Sequence, residues 1–439
     1  MKHLSTHATA WRAGLALVAS ASILLSGCSS SPNSTSAQSS STDPATSVAT
    51  SASPAPPAAT PAVAHGVARG IADVPWSQVG PGWMLAVWTP VTPHRPGSQP
   101  PPTNPAPAAA NDVLYLVSPT GDRYSMTELP SGDDALEIAD WSGDGSDALL
   151  TPQYGRRGDA ISLDLHTGAH ITIPNTGTLE FTRPNGKALL SSTTFNGSEP
   201  GTLKRIDMAG NEQFVYPTKE LGGAGQFGGQ YLETPDGTRL VLSTANLGNE
   251  LVPRTDNSLV VMSNDGSIVR TLPAPMPKAM CSPVKWWTPD VILVHCAAER
   301  DGAEQLWEVP VDGSKPTALT AVNTHDDAPG FEGNYGNWEA YRLTSGTYLP
   351  TAGACGTTFV SRLTPDGHTE RVKIPGVSDS ADLAGVSGDK LVIVGQVGCG
   401  GGDSLVTYDP VANASTVLLG PPITNGGGIE GVRLYPSEQ

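Results

Sequence analysis

Positive charge is scarce in this chain: 25 Lys and Arg stand against 42 Asp and Glu, a formal net charge of −17 over 439 residues. An acidic surface repels phosphate backbones and anionic headgroups, which sets nucleic acid aside as a partner. A sustained 3.6-residue apolar period is also missing, so helices should be few. The cysteines show no Cys-x-x-Cys or Cys-x-x-His spacing of the kind zinc sites use. The glycine clusters Gly222-Gly223, Gly400–Gly402 and Gly426–Gly428 lack the following Gly-Lys-Ser/Thr of a phosphate-binding loop. What the chain has in quantity is punctuation: 49 Gly and 40 Pro. So many breakers predict short strands joined by many turns.

The first residues read as an address rather than as fold. Lys2, His3, His7 and Arg12 precede a run of small and apolar residues from Ala13 to Leu25, closed by Leu25-Ser26-Gly27-Cys28. That run is short of the ~20 residues a membrane span needs. The Leu-Ser-Gly-Cys segment resembles a bacterial lipobox, which implies cleavage before Cys28 and acylation of its thiol. Residues 1–27 are then a lipoprotein signal peptide, and the protein is expected to be exported and held at the outer face of the cytoplasmic membrane by lipid on Cys28. Removing Lys2 and Arg12 leaves 23 basic against 42 acidic residues, or −19. Residues 28–65 are mostly Ser, Thr, Pro, Ala and Gln, too polar to bury a core, and read as a disordered tether. Residues 66–439 form the folded domain.

Four further cysteines, Cys281, Cys296, Cys355 and Cys399, suit disulfides in an exported protein. The segment between the first two reads as a hairpin turning at Thr288-Pro289, and each Cys lies seven residues from its side of that turn. Residues so registered face each other within bridging distance. That leaves Cys355 for Cys399.

One pattern recurs seven times: an alternating strand, a tight turn and a second strand, beginning near residues 113, 161, 203, 258, 305, 359 and 404. The turns Thr120-Gly121, Asp265-Gly266, Asp312-Gly313 and Asp366-Gly367 supply the φ > 0 residue that tight hairpins demand, and Asn413 takes that place in the last copy. A second hairpin lies between copies, at 140–150, 181–192, 233–244, 286–296 and 385–396. Four short strands every 40–50 residues is the period of a propeller blade. The expected fold is all-β: a propeller of four-stranded antiparallel blades, seven in number, with six as the alternative. Gly82–Thr89 opens the first blade and Gly428–Pro436 supplies a strand that clasps the ring. The Pro-rich stretch Thr92–Ala110 is a loop inside blade one.

The turns Trp141-Ser142-Gly143-Asp144-Gly145, Thr234-Pro235-Asp236-Gly237 and Thr288-Pro289-Asp290 resemble the W-S-P-D-G-K/R motif of TolB-like propellers. Over about residues 70–436 the chain is similar to TolB-like β-propeller lipoproteins of the actinobacterial cell envelope. The resemblance implies a fold and an address, not an activity, because propellers host many functions.

Gly402-Asp403-Ser404-Leu405 spells the nucleophile block of GDSL esterases, but no His follows His368 to act as base, so no catalytic residue is assigned. Asp140, Ser142, Asp144 and Asp147 space their oxygens like a calcium loop, yet Thr151 stands where an EF-hand needs Glu. No cofactor or metal site is assigned, and only weak calcium binding is allowed for. His325, Asp326 and Asp327, followed by Phe331, Tyr335 and Trp338, form the most site-like patch, in a long gap between hairpins where function concentrates. Trp286 and Trp287 must point to opposite faces of one strand. The expected role is a lipid-anchored binding or scaffolding module for an envelope protein, peptide or glycan. The alternative is an envelope lyase or glycan hydrolase with carboxylates converging on the ring axis.

Overall fold

A computed structural model describes residues 62–63, 68–91, 111–153, 156, 158–175, 177–196, 199–247, 253–254, 258–298, 303–323, 338–352, 358–397, 403–420 and 427–436. Cys28, Cys355, Cys399, His325, Asp326, Asp327, Phe331, Tyr335 and the whole loop 92–110 lie outside them. Short antiparallel strands make up most of what is described. Helical structure there is confined to 3-10 turns at Ile71–Asp73, Trp76–Gln78 and Gly132–Asp134. No helix among the described residues is long and apolar enough to cross a membrane.

Two short strands come first, β1 (Ala62–Val63) and β2 (Arg69–Gly70). Blade 1 receives β3 (Met84–Thr89), β4 (Asp112–Val117) and β5 (Arg123–Leu129). Blade 2 is β6 (Leu136–Trp141), β7 (Asp147–Pro152), β8 (Ala160–Asp164) and β9 (His170–Ile173). Blade 3 is β10 (Thr178–Phe181), β11 (Leu189–Thr193), β12 (Thr202–Ile206) and β13 (Glu212–Val215). Blade 4 holds β14 (Gln226–Glu233), β15 (Arg239–Leu247), the small β16 (Pro253–Arg254) beside it, β17 (Ser258–Ser263) and β18 (Ile268–Pro273). Blade 5 is β19 (Ala279–Thr288), β20 (Val291–Ala298), β21 (Glu304–Pro310) and β22 (Thr317–Ala318). Blade 6 is β23 (Tyr341–Leu343), β24 (Gly346–Ala352), β25 (Thr358–Leu363) and β26 (Thr369–Arg371). Blade 7 is β27 (Val377–Ser387), β28 (Lys390–Val397), β29 (Asp403–Asp409) and β30 (Ala414–Leu419).

The last strand, β31 (Gly428–Leu434), returns to blade 1 and pairs antiparallel with β3, from Met84 opposite Leu434 to Thr89 opposite Gly428. Blade 1 thus takes its inner strand from the C-terminal end and its other three from the N-terminal end, which leaves no gap in the ring. The chain is a seven-bladed β-propeller. Of the two recurring hairpins in the sequence, the second forms the inner strand pair of blades 2, 3, 4, 5 and 7, and the first forms the outer pair of every blade. The strands flanking 92–110, β3 and β4, are neighbours in blade 1.

Why seven sheets close up is visible in the core. Among the described residues seven apolar clusters each fill one junction between successive blades. Leu85, Leu114, Ile138 and Leu150 join blades 1 and 2. Met84, Ala86, Val392 and Leu405 join blades 7 and 1. A single four-stranded sheet has no partner for either face, so burial at ~25 cal/mol per Å2 accrues only when neighbours are present on both sides. Cys281 and Cys296 stand opposite each other on β19 and β20, their sulfurs 2.04 Å apart in a disulfide. Both belong to the junction of blades 4 and 5.

At the front of the domain the structure adds detail. Ala62–Val63, inside the span read as tether, lies parallel to β30 on the outer edge of blade 7. Arg69–Gly70 does the same to β5 on blade 1.

Candidate functional site: the ring axis

Each blade turns its inner strand to the axis, so side chains distant in sequence meet there. Glu137 and Asp140 come from β6, Glu180 from β10, Tyr231 and Glu233 from β14 and Lys285 from β19. Tyr341 comes from β23 with Glu339 just ahead of it, Asp382 from β27, and Glu430 and Arg433 from β31.

Asp140 is fully buried and ties three blades together. Its Oδ1 accepts from the Trp141 amide at 2.9 Å and from Arg183 Nη2 at 3.1 Å. Its Oδ2 accepts from the Phe181 amide at 2.9 Å. Arg433 Nη2 stands 3.6 Å from the same carboxylate and donates to the Ala139 carbonyl at 2.6 Å. A carboxylate with this many donors is held firmly in place. Across the junction of blades 3 and 4, Glu233 accepts from the Arg183 amide at 2.7 Å, while the Trp286 indole donates to the Glu233 carbonyl at 2.8 Å. Burial still raises the Glu233 carboxyl to about 7, against the lowering pull of the Arg183 amide.

Further round the ring the charges are matched differently. Lys285 Nζ lies 2.9 Å from Glu339 Oε1 and 3.3 Å from the Tyr341 ring centroid. Burial lowers the Lys285 pKa and the Glu339 charge opposes that change. Asp382 is pushed up to about 7 by burial and then by the Glu339 and Asp403 charges. Glu180 is raised by burial and then by the Asp140 charge. Glu137 is raised to about 7 by burial alone. At the junction of blades 1 and 2, Gln153 Nε2 donates to Glu430 Oε2 at 2.9 Å. Asp112, only 2% exposed, is raised to about 6 by burial, lowered by its Thr89 hydrogen bond and raised by Glu430.

The axis therefore gathers seven carboxylates, those of Glu137, Asp140, Glu180, Glu233, Glu339, Asp382 and Glu430, around Arg183, Lys285 and Arg433. The three cations are each committed to a named internal carboxylate. What remains in excess is negative charge, partly protonated near neutral pH, suited to receiving a cationic or hydrogen-bonding group.

Of the binding residues singled out in sequence, His325, Asp326, Asp327 and Tyr335 lie outside the described residues. Trp338, the one member of the 325–338 patch among the described residues, is half-buried in the turn preceding Glu339. The calcium-like oxygens serve other ends. Asp140 belongs to the axis, and Asp144 accepts from the Ser142 hydroxyl at 2.8 Å and from Ser146 Oγ at 2.7 Å within its own turn. Among the described residues no three His, Cys, Asp or Glu groups are arranged to hold a metal ion. Ser404 of the GDSL block is 1% exposed on β29. Trp286 packs at the junction of blades 4 and 5, whereas Trp287 faces blade 6 and donates to Glu308 Oε1 at 2.7 Å.

The axial residues share no signal in sequence: the inner turns of blades 2, 3 and 4 begin at Ser142, Thr182 and Thr234, and the residues three before them are Ala139, Leu179 and Tyr231.

No family model matches the chain, and neither does any curated protein. Solved structures similar to it are remote. They include the β-propeller domain of the Trilobed protease from Pyrococcus furiosus, at 12% identity and a TM-score of 0.45, over 76% of this chain and 92% of that one. A TolB-like protein from Agrobacterium tumefaciens matches at 13% identity and a TM-score of 0.37, over 81% and 99%. A puromycin-hydrolyzing peptidase from Mycobacterium tuberculosis matches at 15% and 0.44, over 71% of this chain and 50% of that one. Against a prolyl endopeptidase the chain spans 47% of the other's length.

Proposed function

We propose that the propeller is a binding module of the cell envelope, carried on lipid at Cys28, whose axial ring receives a cationic or hydrogen-bonding group of a protein, peptide or glycan. The observation that supports binding over catalysis is the pairing of the axial charges. Arg183, Arg433 and Lys285 are each held by an internal carboxylate, so the groups best placed for chemistry are spent on joining blades. Recognition needs only the surplus of acid that remains, and an acidic mouth draws cationic partners by long-range attraction.

A glycan lyase or hydrolase is the second reading. Glu137 and Asp382, both near 7, favour it because a general acid works best with a pKa close to ambient pH. Isothermal titration of the folded domain against envelope-derived peptides and glycans separates the two. Binding predicts a ligand whose affinity falls at least about tenfold in Asp382→Asn and Glu180→Gln with no turnover, since a charge-assisted contact contributes ~1.5–3 kcal/mol. A product that forms with the wild type and not with either variant would replace binding by catalysis.

A further inference from the structure

The outer rim of the ring carries a second surface. The strands there differ in length: β5 has seven residues, β18 and β30 six, β9 and β13 four, β26 three and β22 two. An outer strand leaves a row of backbone donors and acceptors unpaired, and a long one is a template for another strand. Two of the three long ones are covered by the chain itself. Arg69–Gly70 pairs in parallel with Tyr124 and Ser125 of β5, and Ala62–Val63 with Thr416 and Val417 of β30. Side chains secure the first of these, since Arg69 forms an ion pair with Asp122 and lies over the Tyr124 ring at 4.8 Å.

The third, β18, ends its sheet without a cover among the described residues. Its apolar side chains face water: Val269 is 53% exposed and Ile268 38%. The repeat makes the comparison with blade 1 residue by residue. The Ser118 and Ser263 amides each donate across the outer turn, to the Asp122 and Ser267 carbonyls respectively. Ile268 lies opposite Met262 as Arg123 lies opposite Val117, and past a bulge at Val269 the residues Arg270 and Thr271 stand where Tyr124 and Ser125 stand. At the same turn Asp265 is exposed and held anionic by the Ser263 hydroxyl and the Ser267 amide. Arg270 is turned away onto blade 5, against Gly313 and beside Asp312.

We infer that β18 is a strand-addition site for an extended basic segment of a partner protein, lying parallel to Arg270-Thr271 with an apolar residue over the exposed Val269 and a basic one near Asp265. Strand addition takes its affinity from main-chain bonds and its selectivity from alternate side chains. The basic character of the occupant follows from Asp265 and from the −17 charge of the chain. Neither the axial ring nor any ligand it takes enters into this inference.

The test uses hydrogen exchange on the full chain with two probes, a nine-residue peptide of alternating Val and Lys and its Val and Glu counterpart. The expected result is at least tenfold slower exchange across 268–271 with the Lys peptide only. Val269→Lys, which places a charge on the edge, should abolish that protection, while Val411→Lys, at a turn residue 78% exposed on blade 7, should leave it intact. Equal protection by both peptides, protection unaffected by Val269→Lys, or none at all overturns the inference. A photo-crosslinker at 269 that captures residues 29–61 of the same chain, or only a second copy, overturns it as well.

Discussion

At the residue scale the axis shows how an acidic chain tolerates charge at the centre of its fold. Lys285 is 16% exposed and Glu339 12%, so each depends on the other for what water would otherwise supply. Removing one partner of such a pair leaves an unmatched buried charge and costs about 3–5 kcal/mol, whereas replacing both with apolar groups of like volume is often neutral. Glu339→Gln should therefore destabilise the domain by about 3 kcal/mol in urea unfolding. Lys285→Met combined with Glu339→Leu should return to within about 1 kcal/mol of wild type. If the double variant is as unstable as the single one, the pair matters through more than its charge. These residues were illegible in the sequence for a simple reason. Glu180, Lys285, Tyr341 and Asp382 are unremarkable polar residues on alternating strands, and only ring closure shows that they share a neighbourhood.

At the scale of elements, the outer hairpins were readable because their turns are chemically explicit. Gly121, Gly266, Gly313 and Gly367 adopt φ between 83° and 91°, and Asn413 sits at 50°, as the left-handed turn positions demand. The Cys281–Cys296 pairing was likewise arithmetic about a turn. Harder to see was the way inner turns brace one another. Gly237 has φ +69°, and a Cβ there would lie 2.0 Å from the Arg183 carbonyl oxygen of the preceding blade. At Gly143 an added Cβ would come within 1.8 Å of the Pro184 oxygen. Glycine in these turns thus serves a contact between blades as well as a backbone conformation. Gly237→Ala should cost about 3 kcal/mol, more than the ~1 kcal/mol expected from conformation alone, because the two inner turns must part. A loss near 1 kcal/mol would mean that the turns slip past each other freely.

For the whole molecule, blade number followed from the sevenfold repeat, and closure from a C-terminal segment with no hairpin partner of its own. What composition could not show is the shared electrostatic state of the ring. Burial raises Asp112 to about 6 and Glu137, Glu233 and Asp382 to about 7, above the ordinary carboxyl range near 4. Between those limits the folded ring binds more protons than the unfolded chain, so stability must fall as pH rises through 6 to 7. At the acid end the sign reverses. Asp236 and Asp265 are lowered to about 2 by turn hydrogen bonds, so what they contribute is present above pH 4 and is lost as pH falls toward 2. Thermal unfolding should give its highest midpoint near pH 4, with a decline toward pH 7 and another as pH falls from 4 toward 2. Asp382→Asn removes one proton-binding group from the ring, where Glu339 and Asp403 press upon it, and should flatten the decline between pH 4 and 7 while leaving the acid limb unchanged. An unaltered slope in that variant would mean that the axis is wet enough to keep its carboxylates ordinary, and that the surplus acid is ionised whether or not a partner is bound.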